Sequence, residues 1–265
     1  MGFKMAKRRT AIVIVALLLS VSIASALAGY VGLIVGRVYE KNLRFCHPGR
    51  FANLRYSLSE VAGLIEYHSQ LGQDRWIVQC VFPGVENGYF VDVGSGDGVR
   101  ISNTKVLEDL GWNGICIDPF PSNVENRTCS VFKEVVYDKA GHKVHFRAAG
   151  DFGGIEEHLG MWKEAEEVKE AKVVEFTTTT LDEILARANA PEFIHYMSID
   201  IEGAELEALR GFSFSKYNVG ALTVEHNYEE PKRSQIRKLL ESKGYRLAKA
   251  VNVDDWYVFD RSRAQ

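Results

Sequence analysis

Tyr89-Phe90-Val91-Asp92-Val93-Gly94-Ser95-Gly96-Asp97-Gly98 is the stretch that decides the fold of this 265-residue chain. A short apolar run leads into three glycines spaced two apart, and a helical pattern follows from Ser102 to Leu110. An uninterrupted apolar run of this length reads as a strand covered on both faces. Glycines at its end allow a tight turn and let a ligand approach the backbone. A dinucleotide site would place G-x-G-x-x-G here. Gly94 and Gly96 fit that pattern, but Val99 stands at the third position.

Working outward, strands alternate with helices. The expected strands are Tyr89–Val93, Gly114–Ile117, Phe132–Tyr137, Tyr196–Ile199, Ala221–Glu225, Tyr245–Ala250 and Trp256–Phe259. The expected helices are Ser102–Leu110, Leu181–Asn189, Ala204–Arg210 and Ser234–Ser242. Thr180-Leu181-Asp182-Glu183 is a capping box, and Gly211 and Gly244 fall where helices end. The alternation implies an α/β fold with a mainly parallel sheet of seven strands. The last two strands are joined by a short link and form a hairpin, so one of them runs antiparallel. Ser57–His68 reads as a further helix before the first strand, opened by the capping box Ser57-Leu58-Ser59-Glu60. The charged segment from Glu156 to Lys172 reads either as a solvated amphipathic helix or as a lid over the site.

The second strand ends in Ile117-Asp118-Pro119. A carboxylate there can accept hydrogen bonds from both hydroxyls of a ribose. Together with the D-x-G-x-G-x-G turn from Asp92, this suits S-adenosylmethionine better than a dinucleotide, because no pyrophosphate has to sit at the helix start. Asp92, Gly94, Ser95, Gly96, Gly98, Asn103 and Asp118 are the candidate cofactor residues. Ligands of open α/β sheets bind at the carboxyl ends of the strands. Those ends carry Asp200 and Glu202 on one strand, and Glu225, His226 and Asn227 on the next. Asp200, Glu202 and His226 are the candidate catalytic groups, with His226 the natural base near neutral pH. Glu225 and Asn227 beside an acid resemble the oxygen-ligand layout of catechol-type O-methyltransferases, a set that suits Mg²⁺. His195 lies at the opposite end of its strand and reads as structural. Glu205 and Glu207 read as helix-surface residues.

The amino terminus is a separate problem. Residues 1–10 carry Lys4, Lys7, Arg8 and Arg9 and no acid, and residues 11–36 form a 26-residue run without a charged side chain. That length can cross a bilayer with some tilt. It reads as a transmembrane signal anchor, with a cleaved signal peptide ending at Ala26-Leu27-Ala28 as the rival. Residues 37–56 form a basic connector to a body over 57–265. The basic prefix favours a body on the non-cytoplasmic side, where the single sequon Asn126-Arg127-Thr128 could be used. The whole chain has a formal charge of −3; since the first ten residues hold +4, residues 37–265 hold −7. An acidic body argues against nucleic acid as a partner. The four cysteines, Cys46, Cys80, Cys116 and Cys129, lack metal-ligand spacing. Cys116 reads as a small core hydrophobe, with room for one disulfide among the four.

Several short motifs occur in order: Ser69-Gln70-Leu71-Gly72-Gln73-Asp74, Asn87-Gly88-Tyr89 through Gly94, Ser102-Asn103-Thr104, and Glu108 with Gly111-Trp112. Thr180-Leu181-Asp182 and Ile199-Asp200-Ile201-Glu202-Gly203-Ala204-Glu205 follow. In this combination, from about Tyr67 to Phe259, the chain resembles the FkbM-type methyltransferases. The resemblance implies a class I, Rossmann-like methyltransferase fold, S-adenosylmethionine as donor, and O-methylation of a small-molecule, glycan or lipid-linked hydroxyl acceptor. It also implies a cofactor-side role for Gln73 and Asp74, and it makes Asp200 the family's acidic residue after the strand. Asp118 stands where glutamate is the more frequent residue. The rival readings are a binding or trafficking module that keeps the fold without the chemistry, and an NAD-dependent enzyme.

Overall fold

The computed structural model describes Cys46, residues 64–260 and Ser262. The expected membrane span over residues 11–36 therefore lies outside the described residues, as do the basic tail and the connector apart from Cys46. No described helix is long and apolar enough to cross a membrane.

Ten strands and six α-helices are described. A short helix α1 (Gln73–Trp76) runs on into a π-turn at Ile77–Val81. Then come β1 (Tyr89–Val93), α2 (Lys105–Asp109), β2 (Asn113–Ile117) and β3 (Ser130–Phe132). β4 (Lys143–Arg147), β5 (Gly154–Ile155), α3 (Glu166–Glu170) and β6 (Val173–Thr177) form an insertion. The chain continues with α4 (Leu181–Arg187), β7 (Phe193–Ile199), α5 (Glu205–Arg210), β8 (Asn218–Glu225), α6 (Lys232–Ser242), β9 (Tyr245–Val251) and β10 (Asp254–Phe259).

Seven strands make one sheet in the order β3-β2-β1-β7-β8-β10-β9. The pairs from β3 to β8 are parallel, and β10 runs antiparallel to both β8 and β9. This order fits the Rossmann-like fold expected from the sequence. Alternate residues of each strand feed two cores, as a doubly covered sheet requires. Val91, Val93, Ile117, Met197, Ile199 and Leu222 pack with Leu181, Ile184, Leu206 and Leu240 from the helices on one face. Phe90, Cys116, Tyr196, Ala221 and Trp256 pack with Trp76, Ile77, Leu107 and Trp112 on the other. α4 starts where the capping box predicts: the Thr180 hydroxyl accepts the Glu183 amide at 3.3 Å.

Several expectations need correction. The strand expected over Phe132–Tyr137 is Ser130–Phe132, a half-exposed edge segment whose outer side has no partner strand among the described residues. The helix expected to reach His68 does not cover Leu64–His68, because Asp74 takes the His68 and Ser69 amides at 2.7 and 3.1 Å and folds that stretch into a loop. Glu156–Lys172 is neither one helix nor an isolated lid. It is a 3₁₀ turn (Gly160–Glu164) followed by α3, docked beside a second, three-stranded sheet ordered β5-β4-β6. Cys116 is not a free hydrophobe: all four cysteines are paired, as Cys46–Cys80 and Cys116–Cys129.

Candidate active site

The register of the sheet sets the site. Val93 lies opposite Ile117 and Ile199, and Ile199 lies opposite Val224. The next residues, Gly94, Asp118, Asp200 and Glu225, therefore come level at the carboxyl ends of four neighbouring strands. Chain direction through the sheet changes between β1 and β7, the switch point where such sheets open a crevice. A cleft of about 90 Å³ sits there, lined by Asp92, Gly94, Ser95, Asn103, Asp118 and Asp200 among others. A second cleft of about 70 Å³ adjoins it and shares Gly96, Asp118 and Phe146. Glu202 and Gly96 also line the first cleft. Gly98 does not; it packs below the turn, against Asn123 and Val124.

Gly94 has φ +86°, and a Cβ there would overlap the Asp200 carbonyl oxygen. Only glycine lets β1 and β7 end this close together. The Gly94 and Ser95 amides donate to the Ile117 carbonyl at 2.8 and 3.1 Å, so the turn is folded against β2. Asp118 accepts the Gly96 amide at 3.0 Å and the Phe120 amide at 2.7 Å. Its carboxyl nevertheless stays above the ordinary range, because burial outweighs both bonds. Asp92 is buried and accepts the Thr104 hydroxyl at 2.6 Å. Burial raises its carboxyl as well, against the attraction of Arg127.

Arg127 is the residue that sequence reasoning missed. Its guanidinium is buried and bonds Glu108 at 2.6 Å, the Gly98 carbonyl at 2.6 Å and Thr104 Oγ1 at 2.9 Å. It thus joins the turn, the start of α2 and Asp92 in one network. It was visible in the sequence only as the middle residue of a sequon, and no local spacing marks a contact with Glu108.

Two polar atoms at the cleft have no partner. Ser95 Oγ and Asn103 Oδ1 are buried and unbonded, while Asn103 Nδ2 is fixed by the Ser198 hydroxyl at 2.9 Å. Unpaired buried polar atoms are costly, so two of them facing one cleft call for a partner there.

On the other side of the cleft three carboxylates converge. Asp200, Glu202 and Glu225 bring one oxygen each within 4.8 Å of one another. Asn227 Nδ2 donates to Glu225 at 2.7 Å and to Glu202 at 3.2 Å. Burial first, then repulsion from Asp254, pushes Asp200 up to about 7; burial, then repulsion from Asp200, pushes Glu202 up to about 9. Glu225 is pushed up to about 12 by burial and then by repulsion from Asp200 and Glu202. Such a cluster can hold a shared proton or a hard cation. Glu202 sits at φ +51°, a strained value for a side-chain-bearing residue of the kind that collects at functional sites. Glu205 holds that loop in place. It is not a surface residue as expected but is buried, accepting the Ile201 and Gly203 amides at 3.1 and 2.8 Å.

The remaining candidates stand away from the cleft. His226 is buried; its Nδ1 accepts the Tyr228 amide at 2.9 Å, and its Nε2 lies 3.6 Å from Asp255, which Arg233 also grips at 2.7 Å. Gln73 donates to Asp254 at 2.8 Å. Asp74 is spent on the loop amides described above. None of the three lines the cleft. Their contribution is indirect: Ser69, held by Asp74, forms a bridge with Ile101, a wall residue of the cleft.

The description of the methyltransferase FkbM domain matches residues 92–247, more than half of the chain. The chain belongs to the FkbM methyltransferase family. No curated protein and no solved structure matches it. The stretch matched by the FkbM domain opens on Asp92 and includes the glycine turn, Arg127, the inserted sheet and the carboxylate cluster.

Proposed function

We propose that the protein is an S-adenosylmethionine-dependent methyltransferase that methylates a hydroxyl of a small-molecule, sugar or lipid-linked acceptor. The observation that carries this reading is the pair of unbonded atoms Ser95 Oγ and Asn103 Oδ1, in the same cleft as Asp118. The donor's amino-acid end offers an ammonium for Asn103 Oδ1 and a carboxylate for the Ser95 hydroxyl. Asp118 keeps lone pairs for the ribose hydroxyls beyond the two amides that it accepts. When bound, this cofactor supplies a methyl group activated by a sulfonium.

The chain's part is then to place an acceptor hydroxyl and take its proton. Asp200, level with Gly94 and lining the cleft, is the group positioned for that role. Glu202 supports it at the cleft wall. His226, turned away and bonded by the Tyr228 amide, acts on the loop after β8 rather than on substrate. The clefts are narrower than the roughly 300 Å³ at the lower end of ligand sites. Arg100 bridges the first cleft to Asp151 at 2.5 Å, so the strap at Gly150–Phe152 must lift to admit a nucleoside.

A second reading concerns a metal. Three carboxylates within 4.8 Å offer an oxygen set for Mg²⁺, which would lower the pKa of the acceptor hydroxyl. We also read residues 11–36 as a single membrane span with the body on the non-cytoplasmic side. The use of all four cysteines in disulfides supports an oxidising compartment.

The test is calorimetry of the full chain in detergent micelles with S-adenosylmethionine, followed by transfer of labelled methyl to a panel of hydroxylated acceptors. No heat of binding at millimolar cofactor would overturn the donor assignment. Binding without transfer to any acceptor would make the protein a module that keeps only the fold. Transfer that survives a chelator removes the metal from the reading.

A further inference from the structure

We propose that Asn126 carries an N-linked glycan. The proposal rests on the reading that the body lies in an oxidising lumen, and it is independent of the methyl-transfer chemistry. The sequon Asn126-Arg127-Thr128 falls in the loop from β2 to β3. Along these three residues exposure alternates: Asn126 and Thr128 face solvent, and Arg127 is buried.

The alternation has a physical cause. The inward pull on Arg127 comes from Glu108, the Gly98 carbonyl and Thr104. The Arg127 amide is turned onto the Val124 carbonyl at 3.0 Å, and the Thr128 amide donates to Glu108. With the middle residue locked inside, both residues that a glycosylating enzyme must read point outward. The Cys116–Cys129 disulfide closes the base of the same loop, so one bond both requires an oxidising compartment and holds the sequon on display. A glycan on an exposed turn displaces no packed side chain.

The step balances. A bond forms between Asn126 Nδ2 and the anomeric carbon of a lipid-diphosphate-linked oligosaccharide. The bond from that carbon to the diphosphate oxygen breaks, the lipid diphosphate leaves with the bonding pair, and the amide loses one proton. No oxidant or reductant takes part.

The experiment expresses the full chain in cultured eukaryotic cells and compares its gel mobility before and after peptide N-glycosidase. The expected result is a shift of one glycan. Asn126→Gln and Thr128→Ala each abolish it, while Thr128→Ser keeps the sequon and retains it. Thiol alkylation of the same material without reductant separates the two ways to fail. Blocked thiols with no shift overturn the Asn126 assignment and leave the compartment reading standing. Four reactive thiols overturn both together.

Discussion

The two walls of the cleft are both built from buried and half-buried acids, and they treat them in opposite ways. On the β1–β2 wall, Asp92 and Asp118 are satisfied. Asp92 bonds Thr104, behind which stands the Arg127–Glu108 pair, and Asp118 takes two backbone amides. On the β7–β8 wall, Asp200, Glu202 and Glu225 crowd together, and Asn227 donates to both glutamates. The first wall is a finished network that holds a shape. The second relieves its crowding by holding protons, with Glu202 and Glu225 pushed above neutrality. Satisfied carboxylates suit the binding of a cofactor, whereas crowded ones suit a group that must gain and lose a proton or attract a cation.

The most damaging way to break the contrast is to open the finished network. Arg127→Met leaves Glu108 buried without its partner, and the cost expected is about 3–5 kcal/mol, read from urea unfolding with the disulfides intact. A loss under 1 kcal/mol would mean that the first wall is no more organised than the second. Next comes Asp118→Ala. It should weaken S-adenosylmethionine binding by about 1.5–3 kcal/mol, the range for a hydrogen bond to a charged group. Unchanged affinity in titration calorimetry would remove Asp118 from the ribose role.

A smaller effect of opposite sign is expected across the cleft. Asp200→Asn removes a carboxyl whose ionisation burial opposes, so near neutral pH it should stabilise the fold by about 1 kcal/mol, as replacement of strained site residues commonly does, while transfer of labelled methyl falls. Destabilisation would show that an ion or proton already binds the three acids together. The smallest effect belongs to the strap. Asp151→Ala removes an exposed pair, so the thermal midpoint should stay nearly unchanged. Stopped-flow mixing should instead show faster cofactor association. An unchanged rate would mean that the strap does not gate entry.

The parts of the fold legible in the sequence were those with a strong local signal. Tyr89–Val93 is apolar throughout and folds as a strand with the expected bounds, and the carboxyl-terminal hairpin follows from its short link. The inserted sheet escaped notice because β4 and β6 are short and half-exposed, so their alternation competes with a charged surface pattern. At the site, sequence position placed Asp118, Asp200, Glu202 and His226 at strand ends alike. It could not tell which way the chain turns afterwards. His226 follows Glu225 by one residue, yet it points at Asp255 rather than into the cleft. Arg127, the disulfide pairs and the gripping role of Asp74 all depend on partners brought together by the fold, and no spacing rule reaches that far.

The Cys46–Cys80 disulfide also decides how the body bears load. It joins positions 34 residues apart. A pull applied through the amino-terminal chain therefore passes from Cys46 straight to Cys80, in the helix packed on Trp256 and Phe90. The described loop at 64–72, which leads into α1, lies outside that path of tension. Its Ser69, held by Asp74, backs Ile101 in the wall of the cleft. Tension that enters at Cys46 is thus carried into the core past the pocket wall.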